Sequence, residues 1–306
     1  MPLDLLLTGL AGLLAQMVDG ALGMGFGITS ASLLLATGMA PALVSASVKF
    51  AQLGTTLASG ASHWRAGNVD PRIMLRLAVP GGIGALTGAL LLSYLSTAAA
   101  APVMSLLLLV LGVLVIIRFV RRRAAVASEA AAAPRTRLLV PLGMVGGLVD
   151  ATGGGGWGPV VTSTLLTTGA AAPRRVIGSV CTAEFVVTSC ASIGFVLGLG
   201  VGGFPLGMIL ALMAGGVIAA PFAARLAGRL PAPILGVCVG TLIVSLNAGT
   251  VLAAAGLHGG TGALAHAGIV IACLGVLTRT LLRHRHAARP LESAPAAPAP
   301  VPAEVA

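Results

Sequence analysis

Long apolar runs separated by short polar turns occupy most of this chain. In the first half they cover residues 3–17, 20–38, 43–62, 73–95 and 99–119. In the second half they cover 138–150, 151–169, 176–200, 205–227, 233–253 and 262–282. A helix needs ~20 apolar residues to cross the ~30 Å hydrocarbon core of a bilayer. The pattern therefore predicts an all-α integral membrane protein, a polytopic helix bundle. The first two runs of each half are short and meet at a glycine-rich stretch. Each such pair is either two tilted helices or a hairpin that enters and leaves on one side. Both options give an even number of crossings, so the remaining topology does not depend on the choice.

Composition supports this reading. Of 306 residues, 57% are hydrophobic and 8% charged, and the mean hydropathy is +1.03, which excludes an ordinary soluble domain. The 43 glycines follow no three-residue period, and they suit helices that pack closely in lipid. A net charge of +10 often marks a nucleic-acid partner. Here the arginines flank apolar runs instead of forming one basic face, so no nucleic-acid partner is expected. The N-terminus lacks a basic segment and carries Asp4, so it reads as part of the first membrane segment and not as a signal peptide. Cys181, Cys190, Cys238 and Cys273 all lie in apolar stretches with no C-x-x-C pair, and read as small packing residues.

The glycine-rich stretch occurs twice. VDGALGMGFGITSASLLLATG (18–38) matches VDATGGGGWGPVVTSTLLTTG (149–169), with Asp19 on Asp150, Gly23 on Gly154, Gly25 on Gly156 and Phe26 on Trp157. After a one-residue slip the likeness continues. Pro41 meets Pro173, Lys49 meets Cys181, Gln52 meets Glu184 and Thr56 meets Thr188.

Arginines set the orientation, because basic residues collect on the cytoplasmic side. Arg118, Arg121, Arg122, Arg123, Arg135 and Arg137 put the central linker inside. Walking outward from it, the loops with Arg65 and Arg72, with Arg174 and Arg175, and with Arg225 and Arg229 also fall inside, as does the tail from Arg279. The N-terminus falls outside and the C-terminus inside. Every lysine and arginine except Lys49 then lies on one face. The loop after the first motif is outside and the loop after the second is inside, so the halves form inverted-topology repeats with broken or re-entrant glycine-rich segments. Such repeats place a site near the midplane, where helices break. The expected units are a first transmembrane repeat (1–120), a cytoplasmic linker (121–137), a second repeat (138–284) and a disordered Ala/Pro-rich cytoplasmic tail (285–306).

Polar residues inside the apolar runs supply the candidate chemistry. Lys49, Gln52, Thr56, Ser59 and His63 step by three and four, so they share one helical face. The matching helix offers Glu184 and Thr188. An ionisable residue at such depth is read as functional by default, the bland alternative being a lysine that snorkels to the headgroups. Lys49 and Glu184 are expected to face one cavity, with Lys49, Gln52, Thr56 and Thr188 contacting an anionic substrate. Gly23, Gly25, Gly154 and Gly156 are expected to present backbone N–H groups to it. Asp19 and Asp150 read either as cavity carboxylates that take part in proton coupling with Glu184, or as caps on helix N-termini created by the break. No cofactor, metal or catalytic residue is expected. There is no H-x-x-x-H or Cys/His cluster, no Ser-His-Asp arrangement, and no Lys-Ser/Thr ending of a phosphate-binding loop.

The paired motifs, the SASVKF (45–50) and GSVCTAEF (178–185) helix starts and the HWRAGNVD loop (63–70) resemble the TauE/SafE sulfite-exporter-like family of membrane transporters. The likeness runs over roughly residues 5–280. It implies export of small sulfur-containing anions, sulfite or organosulfonates, across the bacterial plasma membrane, with the lipid bilayer as the standing partner. Proton coupling and homo-oligomer formation are open in this reading. The alternatives are a non-transporting membrane scaffold or assembly factor, and a family member with an unrelated cargo.

Overall fold

A computed structural model describes residues 2–22, 24–121, 136–167, 173–226 and 231–288. The described chain is helical and contains no strand: α1 (Pro2–Leu22), α2 (Phe26–Ala36), α3 (Pro41–Arg65), α4 (Pro71–Tyr94), α5 (Thr97–Arg121), α6 (Thr136–Thr152), a π turn (Gly158–Thr162) running into α7 (Ser163–Thr167), α8 (Pro173–Leu199), α9 (Leu206–Leu226), α10 (Ala232–Ala254) and α11 (Gly259–Ala288). The expected tail lies outside these residues except for the end of α11, and the expected linker does so except for Arg121, Thr136 and Arg137.

Five of these helices are long and apolar enough to cross a bilayer: those over 71–94, 97–121, 174–199, 232–254 and 259–284. α3 is as long, at 25 residues, but its polar stripe lowers its hydropathy. Large apolar side chains such as Leu106, Val110 and Leu114 on α5, and Leu264 and Ile271 on α11, stand exposed. They form the lipid-facing surface of a multi-pass membrane protein. By contrast, α2 has 11 residues, and at 1.5 Å per residue spans only about 16 Å, near half of the hydrocarbon core. The second motif gives an equally short π-turn-plus-α7 segment.

Proline starts the two polar helices at matched positions, Pro41 for α3 and Pro173 for α8. A proline at the first helical position loses no hydrogen bond and presets the backbone. The two helices run antiparallel side by side. Thr182 Oγ1 reaches Gly60 O at 3.4 Å near one end, while Phe50 and Leu53 share a groove with Ser189 and Ser192 toward the other.

The halves pack reciprocally. α1 lies along α9, and α4 lies along α6. Both crossings rest on glycine: a Cβ on Gly215 would lie 2.0 Å from Gly9 O, and one on Gly147 would lie 2.0 Å from Gly81 O. Without hydrophobic drive between helices in lipid, such close backbone approach is a main source of helix association. Each half thus contributes its first helix to the other half's packing, and the core is shared between them.

Candidate functional site

The two glycine motifs break their helices and meet. Gly25 has φ +123° and Gly154 φ +70°, backbone shapes that residues with a Cβ avoid. Gly155 lies against Gly27 so closely that a Cβ on it would sit 2.4 Å from the Gly27 carbonyl carbon and the Ile28 nitrogen. No other residue fits between the two breaks. Gly23 lies outside the described residues.

Each break exposes backbone donors, and an aspartate on the preceding helix covers one of them. Asp19, in the last turn of α1, accepts from the Phe26 N–H at the start of α2 through Oδ1, at 3.2 Å. Asp150, near the end of α6, accepts from the Trp157 N–H through Oδ1, at 3.1 Å. The spacing of seven residues is the same in both. A carboxylate satisfies these orphan donors and interacts well with a helix N-terminus. Trp157 is fully buried, and its indole N–H donates to Val180 O at 3.1 Å, tying the second break to α8.

Here the matched halves diverge. Asp150 also pairs through Oδ2 with Lys49 Nζ at 2.7 Å, with side-chain exposures of 1% and 0%. The same ammonium donates to Gln52 Oε1 at 2.9 Å. At the matched position in α8 stands Cys181, so Asp19 makes no ion pair among the described residues. One aspartate is locked by a lysine and its counterpart is left open.

Beside the breaks lies a cavity of about 200 Å³. Asp19, Gly25, Gln52, Thr56, Asp150, Gly156 and Glu184 line it. The expected Lys49 is not in its wall, because Asp150 and Gln52 hold the ammonium behind it. Thr188 is buried, its hydroxyl without a partner among the described residues, and neither it nor Gly154 is among the residues lining the cavity. On α3 the wall runs from Gln52 to Ser59, and on α8 it takes in Cys181 and Glu184. The cavity therefore lies toward the end of the bundle that carries Arg65, Arg174 and Arg175, with the Lys49–Asp150 pair on its far side. Among the described residues, no hydrogen bond or ion pair engages the Glu184 carboxylate.

Trp157, the motif partner of Phe26, also lines the cavity, as do Gln16 and Thr55, to which the sequence drew no attention. Gln16 sits three residues before Asp19 on α1, a spacing that signals a shared helical face. Arg118, read only as a topology marker, donates to Met24 Sδ at 3.1 Å and to Ser163 Oγ, bridging both broken segments. No group of metal-ligating side chains is present among the described residues.

The family described as Sulfite exporter TauE/SafE matches residues 8–250. A Bacillus subtilis (strain 168) protein named "Probable membrane transporter protein YtnM" is 45% identical over 248 residues, covering 81% of this chain and 83% of that protein. No solved structure matches.

Proposed function

We propose, from the premise that the chain belongs to the sulfite exporter TauE/SafE family and is a membrane transporter, that it exports sulfite or small organosulfonates across a bacterial plasma membrane in exchange for protons. One observation carries the reading: a partly open cavity at the contact of two glycine breaks, lined by carboxylates, amides and hydroxyls within an otherwise apolar bundle. Irregular backbone at membrane depth is tolerated only where protein buries it or it lines a cavity. At about 200 Å³ the cavity is smaller than the ~300–1,000 Å³ sites that hold drug-sized ligands, which supports a small cargo.

In this reading the halves are inverted repeats with the N-terminus outside and the C-terminus cytoplasmic. The cavity then faces the cytoplasm, where an exported substrate loads. The buried Lys49–Asp150 pair closes the outer side. Glu184 is the first proton carrier, since it lines the cavity and has no hydrogen-bonding partner there, and Asp19 is the second. Lys49 acts at one remove from the cargo, through Gln52.

Flux of sulfite and of a short sulfonate into and out of proteoliposomes, under imposed pH gradients of both signs, tests the proposal. Flux that follows the gradient is expected. Transport of neither compound under either gradient would falsify it.

A further inference from the structure

The charges in the cavity wall do not match a bare anion. Asp19, Asp150 and Glu184 line it, and among the described residues no lysine, arginine or histidine does. The nearest ammonium, on Lys49, is spent on Asp150. Two carboxylates, on α1 and α8, therefore face the space without a cationic partner.

A second feature points the other way in charge. Gln52 is 5% exposed, and its amide orientation is determined by chemistry. A lysine ammonium only donates, so the atom facing Lys49 Nζ at 2.9 Å must be Oε1. The amide N–H₂ is thereby turned away from Lys49, with Nε2 near the Gly27 break, and no described residue accepts from it. The cavity has a neutral donor on its α3 wall and two acidic acceptors on its α1 and α8 walls.

From this arrangement we infer that the cavity takes a small zwitterion: an anionic group on the Gln52 amide and a primary ammonium between Asp19 and Glu184. An ammonium has three donors. Among the described residues, Asp19 keeps Oδ2 available while Oδ1 holds the Phe26 N–H, and both Glu184 oxygens are open. The inference rests on the transport reading above and narrows its cargo to sulfonates or carboxylates that carry an amine. The amine supplies the positive charge that a bare anion would have to bring as a proton.

Binding to the purified full chain in lipid nanodiscs, at one near-neutral pH, tests this. The probes are 2-aminoethanesulfonate, ethanesulfonate, ethylammonium and sulfite. The aminosulfonate is expected to bind at least about tenfold more tightly than either half-molecule. Glu184→Gln should reduce that preference over ethanesulfonate to about twofold or less, without weakening ethanesulfonate itself. Should Glu184→Gln fail to fold, Asp19→Asn serves, because the amide oxygen still caps Phe26 while the charge is gone. Equal binding of ethanesulfonate and the aminosulfonate to the wild type would overturn the inference and leave the anion-transport reading standing. Equal binding of ethylammonium would overturn it in favour of a cation site. Failure of every sulfonate and of sulfite to bind would sink both readings together.

Discussion

Lys49 Nζ and Asp150 Oδ2 lie 2.7 Å apart with both side chains out of solvent, joining the polar helix of one half to the glycine break of the other. Removing one member of a buried pair leaves a charge without compensation, at a cost of ~3–5 kcal/mol, whereas removing both is often far milder. Lys49→Met should therefore lower the thermal unfolding temperature of the solubilised protein markedly. Lys49→Met with Asp150→Asn should recover much of the loss, since Asn keeps an oxygen for the Trp157 N–H. An unfolding temperature for Lys49→Met equal to that of the wild type would show that the pair contributes nothing.

The contact between the breaks gives a second expectation. A methyl on Gly155 meets backbone atoms at 2.4 Å, and backbone cannot swing aside as a side chain can. Gly155→Ala should destabilise by ~1–3 kcal/mol, in the range of overpacked cores. Gly25→Leu and Gly156→Leu should abolish transport with little loss of membrane insertion. The control is Gly268→Ala on α11, where a Cβ would meet nothing within 4 Å. Unfolding temperature and flux measured on the four variants check this, and a Gly155→Ala protein as stable as wild type would count against the packing argument.

Orientation is testable with single cysteines in a cysteine-free background. Ser96, exposed between α4 and α5, should react with an impermeant reagent from outside intact cells. Ala66, exposed between α3 and α4, should react only after the membrane is opened. The reverse pattern would invert the proposed topology, and reaction of both from outside would break the helix count.

Glu184 is the proposed proton carrier, and the charged or titratable groups around it are Asp150 on α6, Lys49 on α3, Asp19 on α1 and Cys181 on its own helix. Glu184→Gln mimics the protonated acid and cannot release a proton. Flux of a bare sulfonate through this variant should lose its dependence on the pH gradient while binding persists. Gradient-dependent flux retained in Glu184→Gln would move the proton to Asp19. Comparison of flux across a pH series for both variants separates the two.

Much of the candidate site was legible before any coordinates. The seven-residue step from Asp19 to Phe26 and from Asp150 to Trp157 is printed in the duplicated motif, and it became the two caps. The stripe from Lys49 through Gln52 and Thr56 follows helical spacing, and Gln52 and Thr56 do reach the cavity wall. Lys49 lies behind that wall, on Asp150. Periodicity says which face of a helix a residue occupies, but a flexible four-carbon stem can carry its charge to either side of that face, and the partner it finds lies 101 positions away.

The chain's sequence alone determined that the protein is a bundle of membrane helices, that its glycine motif is duplicated, and which polar residues lie among the apolar runs. Those properties are local: they depend on composition, on spacing along one helix and on the free energy of exposing charge to lipid. Tertiary structure decided the rest. It set α1 against α9 and α4 against α6 through glycine contacts between distant segments. It gave Lys49 to Asp150, and it left Asp19 and Glu184 facing the cavity without that neutralisation. The two halves carry nearly the same motif, so one sequence pattern allowed two equivalent sites. Lysine at position 49 against cysteine at 181 pairs one aspartate and leaves the other unpaired among the described residues, in the wall of one cavity that both line, and that outcome exists only once the helices are packed together.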